Sequence, residues 1–278
     1  MLLKIFAVLS AAAAVAAALG CSGLSWLWIA PLTFVGSFLG WLVLAFLFLW
    51  AVSSLKKPEE EEGDNRFYRR LVEVYIESIL MVLRMKVDTR GLEKTPEGGR
   101  FLLVCNHLSL LDVLVLLYHF RGRELTFITK QGNMDMFIIG KLMTRIQCLP
   151  LNRDNDREAL KTILKAIAVV KENKASMGLF PEGTRSLDGK LHHFRSGVFK
   201  IAQKTKVPIA VCTLRNTQHA FHNGFRLKKT DVDLHLVDVI SPEAYEALST
   251  VELGNLVYEM MAQDLGPENV SAEEIIGG

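Results

Sequence analysis

Charge is missing from the first part of the chain. Between Lys4 and Lys56 the sequence has no Asp, Glu, Lys or Arg, so this block lacks the charged surface that a soluble domain presents. Its two apolar segments meet at residues 21–23. The first approaches and the second exceeds the roughly 20 residues that a helix needs to span a bilayer. All four tryptophans of the protein fall inside the block, where helix ends could meet the headgroup layer. The pattern predicts an N-terminal helical membrane hairpin over residues 1–55.

Both ends of this hairpin are expected on the cytoplasmic side. Lys4 precedes the first segment, and a group of basic residues follows the second. Pro31 and Gly36 interrupt the second segment, so a tilted or re-entrant pair fits the sequence as well as two full spans do. A cleaved signal peptide is a further alternative, because "ALGC", ending at Cys21, resembles a lipoprotein processing site.

Motifs for several kinds of chemistry are also missing. The four cysteines are far apart and form no Cys-x-x-Cys pair, which argues against a zinc site or a dithiol redox centre and favours buried, reduced thiols. No Gly-x-Ser-x-Gly stretch supplies a hydrolase nucleophile. Four histidines in loop-like segments, His192, His193, His219 and His222, lack acidic partners at metal spacing. Without a dense basic run, a nucleic-acid partner is not expected. We therefore expect neither a metal nor a resident cofactor.

A charged stretch divides the apolar block from the rest of the chain. Residues 56–65, "KKPEEEEGDN", contain Pro58 and Gly63 and have the composition of a linker. Residues 66–278 have the length of one domain. The domain is predicted to begin with an amphipathic helix over residues 66–86, which could lie on a bilayer or pack on the domain.

Short apolar runs alternate with helical patterns in this domain. Six runs are continuously apolar, as buried strands are, and residues 156–173 place apolar side chains on one helical face. A last helix, over residues 249–265, opens with a capping box from Ser249 to Glu252. The alternation predicts an α/β fold with a mostly parallel central sheet flanked by helices. The six predicted strands are "RFLLVCN", "LTFIT", "IQCLPLN", "SMGLF", "VPIAVCTL" and "VDLHLVDVI".

Polar residues directly follow four of these strands. His107 follows "FLLVC", Lys130 follows "TFIT", Arg153 follows "CLPLN" and residues 182–185 follow "GLF". If the strands are parallel, their carboxyl ends share one edge, which is where open α/β sheets bind ligands. We expect these four distant segments to build one site.

His107 and Asp112 could form a catalytic pair if a helix begins between them. On one continuous helix, residues five apart are separated by about 140° and could not face one another. With Ser109 as N-cap, Asp112 falls in the first helical turn, where its carboxylate can hold one imidazole nitrogen and leave the other as a base. The alternative is a capping box in which Asp112 only places negative charge at the helix start. His119 and Glu124 have the same spacing, so spacing alone does not decide.

The heptad "FPEGTRS", residues 180–186, adds groups that suit an anionic ligand. Pro181 fixes a turn, Gly183 lets a ligand approach the backbone, and Arg185 can grip a phosphate with two hydrogen bonds. A tight turn with a surface pair of Glu182 and Arg185 is the alternative. Because the heptad accompanies a possible base, ligand binding is the stronger interpretation.

Four blocks of the sequence, taken in order, resemble the lysophosphatidic acid acyltransferases of the glycerolipid acyltransferase superfamily. The blocks are "NHLSLLD", "CLPLNR", "FPEGTRS" and "VPIAVCTL", and the resemblance covers about residues 86–215. It implies that His107, held by Asp112, deprotonates the sn-2 hydroxyl of lysophosphatidic acid. The hydroxyl would then attack an acyl thioester directly, without an acyl-enzyme, to form phosphatidic acid.

The same resemblance implies a set of substrate-binding residues around the glycerol phosphate. Arg195, in "FRSGVFKIA", stands where the family more commonly has lysine, which keeps the charge. The implied co-substrate is the thioester of coenzyme A or of acyl carrier protein. Together with the N-terminal hairpin, the resemblance leads us to expect contact with membrane lipid and a catalytic domain on the cytoplasmic face of the membrane. The implied binding residues are Lys130, Arg153, Glu182, Gly183, Thr184 and Arg185.

Other functions remain open at this level. The same chemistry could act on another lysophospholipid or on glycerol 3-phosphate, and with water as acceptor it would be a thioesterase. A protein of a different class, a membrane-tethered lipid binder without catalysis, could also keep the fold. The His107–Asp112 pair argues against the last, since a pure binder has no use for a base that a carboxylate orients.

Overall fold

The computed structural model describes residues 1–55, 65–152 and 155–271, so the predicted linker lies outside the described residues apart from Asn65. The described chain forms helices and one seven-stranded sheet. The helices are α1 (Leu2–Leu19), α2 (Trp26–Ser54), α3 (Arg66–Val82), α4 (Leu111–His119), α5 (Gln131–Met134), α6 (Ile139–Arg145), α7 (Asp156–Lys171), α8 (Lys200–Thr205), α9 (Ala220–Phe225), α10 (Pro242–Tyr245) and α11 (Thr250–Leu265). The strands are β1 (Met85–Arg90), β2 (Leu102–Cys105), β3 (Leu125–Lys130), β4 (Leu149–Leu151), β5 (Ser176–Leu179), β6 (Ile209–Arg215) and β7 (Thr230–Ile240).

The sheet has the order β1-β7-β6-β2-β5-β3-β4. Neighbouring strands from β6 to β4 are all parallel, β7 is antiparallel to β6, and β1 is parallel to β7. The predicted α/β class with a mostly parallel sheet is confirmed, and all six predicted strands are present. The carboxyl ends of β2 to β6 therefore share one edge, and β1 and β7 begin at that edge.

Strand β1 was not predicted, because residues 85 and 86 were assigned to the preceding helix. Helix α3 ends at Val82, and Arg84 turns the chain in a left-handed conformation with φ of 52°. Such a reversal is usually marked by glycine, and an arginine gives no such signal. The helical periodicity of the sequence therefore does not show where α3 ends and β1 begins.

The side chains of each central strand alternate between two cores. Leu102 and Val104 of β2 pack under α7, α8 and α11, whereas Leu103 and Cys105 pack under α3 and α4. All four are fully buried, and burial of such a side chain contributes roughly 1.5–3 kcal/mol. The two cores fix β2, and thereby the loop after it, against helices on both faces.

The predicted amphipathic helix α3 joins the N-terminal hairpin to the domain. The Tyr68 hydroxyl donates to the carbonyl of Val52 at 3.2 Å, and the Tyr75 hydroxyl donates to that of Ala45 at 2.6 Å. Helix α2 therefore runs antiparallel along α3. Buried Arg145 stacks its guanidinium over Tyr68, 3.9 Å from the ring centroid.

Helices α1 and α2 are long and apolar enough to cross a membrane. They pack on one another, with Phe6 stacked on Trp41 at a centroid distance of 5.9 Å. Helix α2 continues through Pro31 and Gly36 as one helix of 29 residues, so these residues do not interrupt the helix. Most of its apolar side chains are exposed, which is weakly indicative of membrane association.

Candidate active site

Strand ends that are far apart in sequence meet at one edge of the sheet. Strands β2, β3 and β5 lie side by side and parallel, and the residues that follow them line one cavity of about 590 Å³. The predicted Arg153 lies outside the described residues. The predicted site residues that line the cavity are His107, Lys130, Gly183, Thr184 and Arg185.

His107 and Asp112 face one another across the start of α4. The Nδ1 atom of His107 lies 2.8 Å from Oδ2 of Asp112. The same oxygen accepts the backbone N–H groups of Leu108 at 2.6 Å and Ser109 at 2.7 Å. Both alternatives for this motif therefore hold, since the Asp112 carboxylate that accepts N–H groups before the helix also binds the imidazole.

The start of α4 differs by one residue from the prediction. Its N-cap is Leu110, whose side chain makes no capping bond. Ser109 lies one position earlier, and its hydroxyl accepts the N–H of Leu111 at 3.3 Å. The buried Asp112 carboxylate accepts N–H groups that precede the helix, those of Leu108 and Ser109. The N–H of Asp112 itself donates to the carbonyl of Ser109 at 3.2 Å, so this helical N–H is satisfied without a capping side chain.

The imidazole is fixed by stacking as well as by hydrogen bonding. Its ring lies on Phe180, with a centroid distance of 4.0 Å and an angle of 13° between the planes, and Phe180 stacks in turn on Phe127 at 5.7 Å. The His107 side chain is only 13% exposed. Because Nδ1 is bound to Asp112, Nε2 is the ring nitrogen left for a reacting group.

Glu182 has a different position from the predicted one. It was expected to bind substrate, but its side chain is buried and its oxygens accept the backbone N–H of His107 at 2.8 Å and of His192 at 3.2 Å. Burial raises the pKa of this carboxyl to about 7, against the lowering effect of those two hydrogen bonds. Glu182 thus holds the loop that carries the base, and its buried side chain is not part of a surface pair with Arg185. A contact with substrate stays a prediction.

Thr217 extends the hydrogen-bonded chain that runs from His107 to Asp112. Sequence reasoning did not identify this residue. This buried residue follows β6, and its hydroxyl donates a short hydrogen bond to Oδ1 of Asp112. Asn106 holds the same strands together, because its side chain accepts from the N–H of Leu214 at 2.7 Å and donates to the Leu214 carbonyl at 2.9 Å. The available signal was the position of Thr217 just beyond a strand parallel to β2.

The cavity lining combines cations with apolar side chains. Four basic residues line it, and within the described ranges none of the four forms an ion pair with a carboxylate. Gly183, with φ of 74°, lets the turn pass close to one of them, since a Cβ there would lie 2.9 Å from Nε of Arg195. The cations are Lys130, Arg185, Arg195 and Lys200, and the apolar residues include Leu110, Val113, Ile128, Leu160, Ile163 and Val198.

Other histidines with nearby carboxylates lie away from this cavity. Glu124 does not bind His119, because its carboxylate binds Arg100 instead. Burial lowers the pKa of His119 to about 4. His235, the predicted strand histidine, lies on β7 with Nδ1 2.6 Å from Oδ1 of Asp264. Of these His–carboxylate arrangements, only the pair of His107 and Asp112 opens onto the cavity.

The chain is similar to known acyltransferases. The sequence model of the acyltransferase family matches residues 86–215. A chloroplast 1-acyl-sn-glycerol-3-phosphate acyltransferase of Brassica napus is 38% identical over 140 residues, which are 50% of this chain and 40% of that protein. A probable 1-acyl-sn-glycerol-3-phosphate acyltransferase of Mycoplasma pneumoniae is 31% identical over 205 residues, which are 69% of this chain and 74% of that protein.

A solved structure supports the fold. The 1-acyl-sn-glycerophosphate acyltransferase PlsC of Thermotoga maritima superposes with a TM-score of 0.62 and 22% identity, covering 98% of this chain and 100% of that chain. The chain spans about two fifths of the length of the chloroplast relatives that it matches.

Proposed function

Since this chain belongs to the 1-acyl-sn-glycerol-3-phosphate acyltransferase family, we propose that it transfers a fatty acyl group from a thioester to the sn-2 hydroxyl of lysophosphatidic acid. The observation that carries the proposal is the 2.8 Å contact between His107 Nδ1 and Asp112 Oδ2. This pair opens onto a cavity that also holds cations for a phosphate, none of which pairs with a carboxylate among the described residues, and apolar side chains for an acyl chain.

His107 acts as the general base. Its Nε2 atom takes the proton of the hydroxyl while the hydroxyl oxygen attacks the thioester carbonyl carbon and forms the new C–O bond. Asp112 holds the ring by Nδ1 and stabilises the imidazolium that forms. When the C–S bond breaks, the imidazolium returns the proton to the leaving thiolate. The products are an ester and a free thiol, and no acyl-enzyme forms.

The cations position the acceptor by its phosphate. Arg185 can donate two parallel hydrogen bonds to phosphate oxygens, and Lys130 can add a point charge. Thr184 offers a hydroxyl and Gly183 an open backbone in the same turn. Arg153 belongs to the proposed phosphate-binding set through the family resemblance alone.

The apolar lining accommodates fatty acyl carbon atoms, and the N-terminal helices keep the domain where such substrates reside. Both acceptor and product carry an acyl chain, so a membrane-associated enzyme need not extract them into water. We place the domain on the cytoplasmic face, because basic residues flank both apolar segments. The proposed donor is the thioester of coenzyme A or of acyl carrier protein.

The proposal is tested with purified protein, an acyl-coenzyme A and a panel of acceptors. We expect phosphatidic acid from lysophosphatidic acid, and a lower kcat/KM for lysophosphatidylcholine and glycerol 3-phosphate. A preference for either of those acceptors would replace the proposed substrate with that one. Thiol release without any acceptor would indicate a thioesterase, and binding of acceptor without turnover would indicate a lipid binder.

Thr217→Val is expected to lower kcat by about 5- to 20-fold while KM for the acceptor stays within about twofold. Valine keeps the volume but leaves Oδ1 of the buried Asp112 without its hydroxyl donor, so the carboxylate is freer to rotate away from His107. Steady-state kinetics on lysophosphatidic acid measure both constants.

Thr217→Ser is the matched control for this variant. Serine restores the hydroxyl without the methyl group, so its kcat should return to within about threefold of the wild-type value. If the serine variant is as slow as the valine variant, packing rather than the hydrogen bond is responsible.

Glu182→Gln is expected to reduce kcat by about 10- to 100-fold with little change in KM. One half of the glutamine amide is a donor, so it cannot accept the backbone N–H groups of both His107 and His192. A rise in KM with unchanged kcat would instead support the substrate-binding role that the sequence suggested.

The pH dependence of stability offers a second measurement on Glu182. Its pKa is about 7 in the folded protein and 4.5 in a free chain, so the folded state binds more protons between these values. The free energy of unfolding should therefore fall as pH rises from 4.5 to 7, and the decline should be smaller in Glu182→Gln. Thermal unfolding in detergent, followed across this pH range for both proteins, checks the sign.

A further inference from the structure

An exposed turn after α9 presents large apolar side chains to solvent. Phe225 is 88% exposed and Leu227 is 73% exposed. The turn is ordered by backbone hydrogen bonds, from Leu227 N–H to the carbonyl of Gly224 at 3.0 Å and from Lys228 N–H to that of Asn223 at 2.8 Å. Leu227 is held with φ of 54°, a conformation that costs a non-glycine residue free energy. The fold therefore fixes these two apolar side chains outward.

Positive charge surrounds the two apolar tips. Arg226, Lys228 and Lys229 are exposed in the same turn, and only Lys229 of these three has a carboxylate partner among the described residues, Asp231 at 2.5 Å. Bulky apolar side chains flanked by lysine and arginine are the composition of segments that lie in the interface of an anionic bilayer.

The turn lies at the same edge of the sheet as the active site. Strand β6 is parallel to β2, so both end at the edge that carries His107. Strand β7 is antiparallel to β6 and therefore starts there, directly after residues 225–229. Thr217, which reaches Asp112, belongs to the same connection between β6 and β7.

The turn also adjoins the end of α3, along which the apolar hairpin runs. Gly224 packs against Leu83, where a Cβ would lie 2.9 Å from Cδ2. The guanidinium of Arg84 donates to the carbonyl of Leu227 at 2.7 Å. Because α2 is antiparallel to α3, its exposed apolar stretch extends toward this end of α3, where Val82 is also 63% exposed.

We propose that residues 225–229 form a second membrane contact, separate from the N-terminal helices. Phe225 and Leu227 enter the boundary between headgroups and acyl chains of an anionic bilayer, and Arg226 and Lys228 bind the lipid phosphates. With the hairpin as the first contact, this turn sets the tilt of the domain and holds the edge bearing the cavity against the membrane. The contact does not depend on which acceptor the enzyme acylates.

A spin label at position 225 tests the insertion directly. The label is attached to Phe225→Cys in a full chain that also carries Cys21→Ser, since Cys105, Cys148 and Cys212 are buried. The protein is reconstituted into phosphatidylcholine vesicles with and without phosphatidylglycerol. We expect the label to be more accessible to oxygen than to a water-soluble nickel complex, and more so with the anionic lipid.

Glu172→Cys supplies the matched control. This exposed residue follows α7 at the opposite edge of the sheet, so its label should remain accessible to the nickel complex in both kinds of vesicle. A water-exposed label at position 225 in both kinds of vesicle overturns the proposal. Equal insertion in both overturns the part assigned to Arg226 and Lys228.

The double variant Phe225→Ser, Leu227→Ser tests the consequence for turnover. Its rate on acceptor embedded in anionic vesicles should fall by about tenfold relative to the wild type, while its rate on acceptor in detergent micelles should be unchanged. Val251→Ser, at an exposed apolar residue of α11, should leave both rates unchanged. An equal loss in vesicles and micelles would assign the turn to folding or catalysis, and no loss in vesicles would also overturn the proposal.

Discussion

Replacing His107 with alanine is expected to lower kcat by about 10²- to 10⁴-fold, the range that a positioned general base contributes. KM should change little, because the cations and apolar side chains of the cavity remain. Within the described residues no other histidine or carboxylate lines the cavity, since Glu182 faces the protein interior. No described neighbour can therefore take over the proton. Single-turnover measurements with lysophosphatidic acid isolate the chemical step.

His235→Ala is the matched control for this prediction. His235 also binds a carboxylate through Nδ1, at 2.6 Å from Asp264, but it lies away from the cavity. Its loss should leave kcat within about threefold of the wild-type value. If His107→Ala keeps more than about one tenth of the activity, His107 is not the base.

The His107–Asp112 pair could be proposed from the sequence because it is local, although the heptad at residues 180–186 and the family resemblance, not the spacing, favoured it over a simple capping box. A strand followed within a few residues by a helix start leaves few geometries for a five-residue interval. The interval from His119 to Glu124 shows what the sequence could not decide. There the carboxylate binds Arg100, which lies 24 residues before it, so the same spacing gives no pair.

Two features of the site that sequence reasoning missed depend on distant contacts. Thr217 is 105 residues from Asp112, and Glu182 is 75 residues from the His107 N–H that it accepts. Gly183, Thr184 and Arg185 line the cavity, a position that the sequence suggested because arginine and glycine have characteristic uses in turns. Their binding of substrate stays a prediction. The inward direction of Glu182 depends on the fold, since a glutamate is rarely buried unless its partners are already in place.

The six strands were predictable because each is a continuous apolar run. A parallel arrangement then predicts that the four strands followed by polar site residues end at one edge. The antiparallel β7 was placed at that edge only by the structure. Its apolar run predicts a strand but not a direction, because direction depends on the connection before it. The turn at residues 225–229 directly precedes β7, so its position at this edge lay beyond prediction from sequence. Thr217 follows β6 and was signalled only by its place just beyond a strand parallel to β2.

Arg185→Ala is expected to raise KM for lysophosphatidic acid by about 10- to 150-fold, with a smaller effect on kcat. Loss of a charge-assisted pair of hydrogen bonds to phosphate costs about 1.5–3 kcal/mol, and each 1.4 kcal/mol corresponds to about a factor of ten. Lys130, Arg195 and Lys200 remain in the cavity, so binding should weaken without being abolished. Arg185→Lys should recover part of the loss, because lysine keeps the charge but not the paired donors.

An acceptor without phosphate separates this role from a structural one. With a monoacylglycerol, which carries a free hydroxyl but no phosphate, wild type and Arg185→Ala should have the same low kcat/KM. Removing the arginine and removing the phosphate would then abolish the same interaction, so the two losses in kcat/KM would not add. Lys161→Ala, on the exposed face of α7, should change neither acceptor's kcat/KM. If Arg185→Ala slows both acceptors equally, its guanidinium supports the turn rather than the phosphate, and the cations that remain in the cavity must select the acceptor.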